Sequence, residues 1–361
     1  MGFFDFFRKK DNSKKMTKKI TTNVKVSYDI QTNTEIDPIY LKKLPNGLLP
    51  GEIVLLDWMS GKSLLKAVFP RYFEFQYGIN AEKSAKKLVN NGFLEYASPE
   101  ETLHTLTIDL LKEVLKKKDL KLSGKKADLI ERIKENFSTS EIESLIKNRT
   151  LKISSKGQDV INEYYYIVPA HKNDSKDGVY NVASVIRFIA TAKSKLSNSD
   201  ISWLLFQKAL NKHLKSKNYG LARNDFHNMA SQLYREKRFM DSLEYFLRVF
   251  ICDLSGLNNG DYISKPEYIS IAPGIVSQIN KIVTALEYDN SALNAVFNIS
   301  WDKTRQMLPF HYLSKEICFQ CLLAALEEND KYIHNEISQS YKKLDKKELE
   351  RKYNLKFLDF D

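Results

Sequence analysis

The stretch LSGKKADLIERI, residues 122–133, carries the strongest structural and chemical signal in the chain. A small polar turn, Ser123-Gly124, is followed by Lys125 and Lys126, which open an amphipathic segment. A helix N-terminus exposes backbone N–H groups and carries a partial positive charge. Glycine allows another molecule to approach the backbone closely, and the lysines add charge at the same point. The pattern predicts a phosphate-binding turn, and the alternative is an ordinary solvated helix start.

The flanking sequence places this turn between two predicted helices. Over 107–137, TIDLLKEVLKKKDLKLSGKKADLIERIKENF, Thr107 is a good N-cap and apolar residues recur at helical spacing on both sides of the turn. We expect them to form one small core, which is marginal in stability by itself. The expected core residues are Ile108, Leu110, Leu111, Val114, Leu115, Leu120, Leu122, Leu129, Ile130, Ile133 and Phe137.

The segment resembles the SAP motif, a helix-extended-helix DNA-binding module. The matching positions are Leu111, Lys112 and Leu115 in the first helix, Leu120 and Ser123-Gly124 in the connection, and KADLIERI, 126–133, in the second helix. Asp119 stands where the family usually has Gly, and Asp tolerates a left-handed backbone better than most residues. The resemblance covers about 31 of 361 residues. It implies binding of double-stranded DNA, often A/T-rich, through the phosphate backbone.

Basic and small residues around the turn are the DNA contacts that this resemblance implies. They are Lys118, Lys121, Ser123, Gly124, Lys125, Lys126 and Arg132. Their five cations would neutralise roughly three or four phosphates, which gives a salt slope of about −3 for duplex DNA. Affinity from one such module is weak, so we expect other basic segments to add to it.

A second DNA-binding pattern precedes the SAP-like segment. Asn80 is a good N-cap for the helix AEKSAKKLVNN, which stops at Gly92 and is followed by a predicted strand, FLEY. Lys83, Lys86 and Lys87 face outward on this helix, where they could enter a DNA groove. Beyond the SAP-like segment, LKISSKGQDV predicts a strand, a Lys-Gly turn and a helix. This order is typical of a winged helix, and the alternative is a small α/β lobe without nucleic-acid contact.

The composition favours a mainly α protein with an anionic partner. Hydrophobic residues make up 43% of the chain, whereas Gly (13) and Pro (9) are scarce. The net charge is +11, and residues 1–19, with seven basic and two acidic side chains, contribute nearly half of it. We expect 1–19 to be a solvated basic tail. Its four phenylalanines leave contact with DNA or with a membrane as alternatives.

From about residue 178 the sequence is typical of an all-α domain. The stretch 228–250, NMASQLYREKRFMDSLEYFLRVF, resembles one tetratricopeptide helical hairpin and departs from it at Lys237, where Gly is usual, and at Ser242, where Ala is usual. Its matching apolar positions are Ala230, Leu233, Leu243, Phe246 and Val249. No clear second copy follows. We therefore expect a helical-hairpin domain for protein interaction or self-association rather than a repeat array.

Several short signals carry no catalytic or metal-binding prediction. SGKS, 60–63, lacks the glycine that a phosphate-binding loop needs five residues earlier, where Leu56 stands. Cys318 and Cys321 lack a second pair for zinc, and their apolar surroundings predict core packing. The six histidines form no catalytic arrangement. We therefore expect no enzymatic activity, cofactor or metal.

These patterns predict a cytoplasmic, non-catalytic DNA-binding protein. Three cysteines suit a reducing compartment, and no apolar run is long enough for a transmembrane helix. Abundant Lys, Asn and Ile favour a bacterial, phage or mobile-element source. The alternative function is a protein-interaction adaptor without specific DNA binding. The predicted parts are a tail, 1–19, a winged-helix-like lobe, 20–100, the SAP-like module, 101–138, a segment completing the lobe, 139–177, and the all-α domain, 178–361.

Overall fold

The computed structural model of the protein describes residues 35–146, 148–260 and 262–357. Within them, α-helices dominate and the strands are few and short, which confirms the predicted mainly α fold class. The basic tail predicted over 1–19 and the first residues of the predicted lobe, 20–34, lie outside the described residues. No helix in the described part of the chain combines the length and the apolar composition needed to cross a bilayer.

The elements follow one another in four groups. The first group holds α1 (Pro38–Leu41), α2 (Pro50–Met59), α3 (Tyr72–Phe75), α4 (Ala81–Asn90) and β1 (Leu94–Tyr96). The second holds α5 (Pro99–Leu103), α6 (Ile108–Lys116), α7 (Lys126–Asn136) and α8 (Thr139–Leu145). The third holds β2 (Leu151–Ile153), α9 (Ser155–Glu163) and α10 (Ile167–Lys172). The last holds α11 (Val182–Ile189), α12 (Asn198–Lys215), α13 (Tyr219–Arg235), α14 (Phe239–Asp253), β3 (Tyr262–Ile263), α15 (Pro273–Ala285), α16 (Asn290–Arg305), α17 (Lys315–Leu326), α18 (Asp330–Lys342), α19 (Lys346–Tyr353) and β4 (Lys356–Phe357).

Helix α4 forms where the sequence predicts it. The Asn80 side-chain oxygen accepts a hydrogen bond from the Lys83 backbone N–H at 2.9 Å and so caps the first turn. Ala85 and Leu88 are fully buried on the inner face, and the helix ends just before Gly92. The exposed face of α4 is therefore the lysine-rich one.

The sheet of the N-terminal lobe joins two strands that are distant in the sequence. β1 and β2 pair in an antiparallel manner, with Leu94 opposite Ile153 and Tyr96 opposite Leu151. The intervening residues, 97–150, contain α5, α6, α7 and α8. These four helices are thus an insertion between two paired strands, which fixes both ends of the inserted segment to the lobe.

The residues after β2 do not form the predicted Lys-Gly turn, because both lie inside α9. Ser154 caps this helix, since its hydroxyl accepts from the Gly157 N–H at 3.1 Å, and the helix begins at Ser155. A Cβ at position 157 would lie 2.2 Å from the Phe93 carbonyl oxygen. A close approach of α9 to the start of β1, rather than a turn, explains the glycine.

Helices α5–α8 enclose a small hydrophobic core that is separate from the main core. Its buried residues are Leu103, Leu111, Val114, Leu115, Leu129, Ile130, Ile133, Phe137, Ile142 and Ile146. The predicted inward positions are confirmed except at Ile108 and Leu110, which are 44% and 45% exposed. The prediction was wrong there because Leu111, Val114 and Leu115 fill the inner face of α6, so that the other two side chains point outward.

The main core runs without a break from the lobe into the helical region. Helices α13 and α14 form a closely packed hairpin joined by residues 236–238. All five apolar positions predicted for this hairpin are buried: Ala230, Leu233, Leu243, Phe246 and Val249. Lys237, at the turn, has a left-handed backbone with φ of 61°, the conformation that favours glycine. Cys318 and Cys321 are buried in the same core, as predicted.

Candidate nucleic-acid interface

The two helices that flank the predicted phosphate-binding turn run in the same direction. Just after the end of α6, the Lys118 ammonium donates to the Asn136 carbonyl oxygen, at the end of α7, over 2.6 Å. At the other end, the Lys126 ammonium donates over 2.7 Å to the carbonyl oxygen of His104, three residues before Thr107, the N-cap of α6. The N-termini of both helices therefore lie at one end of the segment. Their dipoles reinforce each other there and favour an anion.

The turn itself depends on Gly124 and Asp128. Gly124 has φ of 135°, and a Cβ at this position would lie 3.0 Å from the Asp128 Oδ2. The same oxygen accepts a hydrogen bond from the Lys125 backbone N–H at 2.8 Å, which fixes the turn. No side-chain oxygen in the described part of the chain caps the following N–H groups of α7. The helix thus begins with backbone donors directed outward.

Arg132 holds the connection between the two helices in place. Its guanidinium donates to the carbonyl oxygens of Lys121, at 2.7 Å, and Ser123, at 3.3 Å. Asp119, earlier in the connection, has a left-handed backbone with φ of 52°. This conformation favours Gly, and Asp tolerates it better than most residues. Arg132 is therefore a positioning residue for the extended connection, which lies along α7.

This geometry, with two co-directional helices, an extended connection and a glycine turn, agrees with the resemblance noted in the sequence. Residues 102–138 match the SAP domain. The match covers α6, the connection and α7, and confirms the assignment of this segment. The chain matches none of the curated proteins and none of the solved structures. The resemblance of 228–250 to a tetratricopeptide hairpin is not confirmed and remains a prediction.

The predicted contact residues of the SAP segment divide into an exposed group and an engaged group. The side chains of Lys121 and Lys125 are exposed, and neither forms an ion pair within the described residues. Ser123 and Gly124 lie between them and are also exposed. The Lys126 ammonium is directed toward the end of α5 by its hydrogen bond. The structure thus brings Lys121, Ser123, Gly124 and Lys125 together at the start of α7.

Lys118 lies at the opposite end of the SAP segment and is fully engaged there. Besides its bond to Asn136, its ammonium forms an ion pair with Glu141 at 2.8 Å and lies 4.3 Å from the centre of the Phe137 ring. The hydrogen bond from Lys118, together with those from Ser138, lowers the pKa of Glu141 to about 2. The Glu141 carboxylate therefore keeps this ion pair down to mildly acidic pH. Lys118 fastens α6 to α7 and α8 rather than adding charge near the turn.

We expect Lys118→Gln to separate these two roles. Loss of the cation–π contact and of the charged hydrogen bond should lower the free energy of unfolding by about 1 kcal/mol. Duplex DNA affinity should change less than about twofold, because Lys118 is distant from the helix N-termini and already paired with a carboxylate. Urea denaturation and fluorescence anisotropy measure the two quantities. A tenfold loss of affinity at unchanged stability would place Lys118 in the interface instead.

The three lysines predicted as DNA contacts on α4 differ in whether they form ion pairs. Lys86 pairs with Glu82 at 2.6 Å, one turn away, and Lys87 pairs at 2.9 Å with Glu52, whose side chain is buried. Lys83 is exposed and, within the described residues, forms no ion pair. Pairing with a buried carboxylate makes Lys87 a structural residue of the lobe.

Helix α4 packs on the main core and α7 on the small core, so the two predicted contact surfaces belong to different hydrophobic cores.

Sequence reasoning missed further cations on α6 and a buried polar pair in the helical region. Lys116 and Lys117 are exposed at the end of α6, and the run KKKD was the available signal.

His213 and Asp225 lie 2.6 Å apart, and burial raises the pKa of the Asp225 carboxyl to about 6. No sequence motif marks that pair. Within 35–146, 148–260 and 262–357, no group of three or more His, Cys, Asp or Glu side chains is arranged to hold a metal ion.

Proposed function

We propose that this protein binds duplex DNA and performs no chemistry on it. The observation that carries the proposal is the N-terminus of α7, where no side-chain oxygen of the described residues accepts from the N–H groups after Lys125, beside the N-terminus of α6. Lys121 and Lys125 are exposed at the connection. Backbone N–H groups there can donate to phosphate oxygens, while the two lysines supply charge. Arg132 and Asp128 keep this surface ordered before binding. Such contacts position a duplex but read no base sequence.

Base contacts are proposed for the lobe. Helices α2, α3 and α4 precede an antiparallel pair of strands, and Ser60 forms a bridge with Leu151 parallel to β2. This order supports a winged-helix-like lobe in which the SAP segment is inserted between the two strands of the wing. Helix α4 would then enter the groove, with Lys83, which forms no ion pair among the described residues, as a contact. A preference for A/T-rich DNA and a bacterial or phage source remain predictions.

The test is fluorescence anisotropy of the full chain with A/T-rich and G/C-rich duplexes across a salt series. We expect log Kd to change with log salt with a slope magnitude of about 2 to 4, since two lysines and the helix N-termini contact phosphates and the lobe adds to them. Heparin as a competitor distinguishes duplex binding from general polyanion binding. Absence of binding at low salt would mean that the turn is an ordinary solvated helix start. It would favour the alternative function, a protein-interaction adaptor without specific DNA binding.

A role of the helical region in protein interaction or self-association is a further part of the proposal. Leu204 on α12 and Met240 on α14 are exposed apolar side chains on this region. Single exposed apolar residues are common on monomeric proteins, so they support the proposal only weakly. We also propose the cytoplasmic location that is predicted from the three cysteines of the sequence.

A further inference from the structure

A groove lies between the SAP segment and the lobe, on the side of α6 that faces away from α7. It encloses a cavity of about 710 Å³ that opens to solvent. One wall is the outer face of α6, with Leu110, Glu113 and Lys117. The other wall includes Trp58, Gly61, Lys62, Ser63, Lys66, Ala67 and Val68. A cavity of this size lies within the range that binds ligands in proteins.

The groove concentrates exposed apolar side chains. Val68 is 87% exposed and Leu110 is 45% exposed, and both line the cavity. Leu65, 83% exposed, lies on the same loop as Val68, and Ile108 extends the apolar face of α6. Contiguous exposed apolar surface on a folded protein marks an interaction site more often than scattered residues do. The outward rotation of Ile108 and Leu110, which the sequence did not predict, creates this surface.

We propose that this groove binds an acidic amphipathic segment of a partner protein. Among the described residues that line it are Lys62, Lys66 and Lys117, against a single carboxylate, that of Glu113, so its cations complement acidic side chains. Its apolar walls fit the opposite face of such a segment. The exposed stripe of α6 from Thr107 to Lys117 extends over about 15 Å, or three helical turns, which matches a short docked helix.

The chemistry of the groove favours a peptide over DNA. Surfaces that bind DNA are more polar than protein–protein interfaces and place cations against phosphates. Here Val68, Leu110 and Leu106 line the cavity beside the lysines, and phosphates would leave these apolar groups unburied. The proposal goes beyond the proposed DNA binding and does not depend on it: Thr107, the N-cap of α6, lines the cavity, but Lys121 and Lys125 do not.

The experiment uses the full chain and two fluorescein-labelled 15-residue helical peptides. The acidic peptide has Leu on one face of the helix and Glu on the opposite face, and the basic peptide has Lys in place of each Glu. We expect the acidic peptide to bind, to change the tryptophan fluorescence of the chain through Trp58, one of its three tryptophans, and to release as salt rises. The basic peptide should bind at least tenfold more weakly. Val68→Glu and Lys66→Glu should each lower affinity for the acidic peptide at least fivefold. Both positions are solvent-exposed, so the variants should fold normally.

Ile299→Glu is the matched control, because Ile299 is also an exposed apolar residue, on α16. It should leave peptide affinity unchanged. Equal binding of both peptides, or equal loss in Val68→Glu and Ile299→Glu, would overturn the proposal. So would a monomer–dimer equilibrium that Val68→Glu abolishes, which would assign the groove to a second copy of the chain. Loss of duplex DNA affinity in Val68→Glu would assign it to DNA. Unchanged DNA binding together with lost peptide binding is the expected result and keeps the two functions distinguishable.

Discussion

Replacement of Lys121 and Lys125 together by Glu is expected to weaken duplex DNA binding about 100-fold at 0.1 M salt and to reduce the magnitude of the salt slope by about 2. Each substitution removes one phosphate contact at the start of α7 and places a carboxylate beside the helix N-terminus. Neither lysine forms an ion pair within the described residues, so folding should be unaffected. Anisotropy titrations at several salt concentrations, with urea denaturation of the same samples, measure both effects.

The matched control is Lys208→Glu with Lys212→Glu. These two lysines are exposed on α12, a helix of the main core, and form no ion pair in the described part of the chain. The change in net charge is the same, so a general electrostatic attraction would weaken equally in both double variants. A localised interface requires a loss in the control of less than about threefold, because its charges lie outside the contact surface. Equal losses would mean that no defined SAP contact surface exists.

The local structure around the turn could be predicted from sequence because each feature depends on neighbouring residues. Thr107 caps α6, Gly124 adopts a backbone that a side chain would strain, and Asp119 takes the left-handed conformation expected of it. These are short-range constraints, and composition and periodicity report them directly. The separate small core follows from the same periodicity. The predicted mainly α fold class rests on similar evidence.

Features that depend on distant pairs could not be predicted. The lysines of α4 look alike in sequence, yet Lys87 pairs with Glu52, which lies 35 positions earlier. Lys118 is a predicted DNA contact, and its ion pair with Glu141 could not be predicted because Glu141 lies on α8, outside the predicted module. Leu110 and Val68 meet at one groove only because β1 and β2 bring their segments together. A single sequence shows which residues are apolar or charged, but not which partners neutralise or cover them.

Leu129→Ala is expected to unfold the SAP segment while the rest of the protein stays folded. Leu129 is fully buried in the small core, and its truncation removes about 2–5 kcal/mol of stability. A core of about ten residues is marginal by itself, so this loss should exceed the stability of the segment. The main core is a separate cluster and should remain intact. Hydrogen exchange should show lost protection over 102–146 and retained protection in α13 and α14.

Leu110→Ala provides the matched control, since it makes the same substitution in the same segment at a position that is 45% exposed. Its cost should stay below about 1 kcal/mol, and its exchange pattern should match that of the unaltered protein. DNA affinity in Leu129→Ala should scale with the fraction of the segment that remains folded, because the turn at Gly124 exists only when α7 is formed. The paired strands hold both ends of the insertion, so β1 and β2 should keep their protection in both variants.

If Leu129→Ala instead lowered protection equally throughout α13 and α14, the small core would be part of one cooperative unit. The SAP segment would then not be an independently folding insertion.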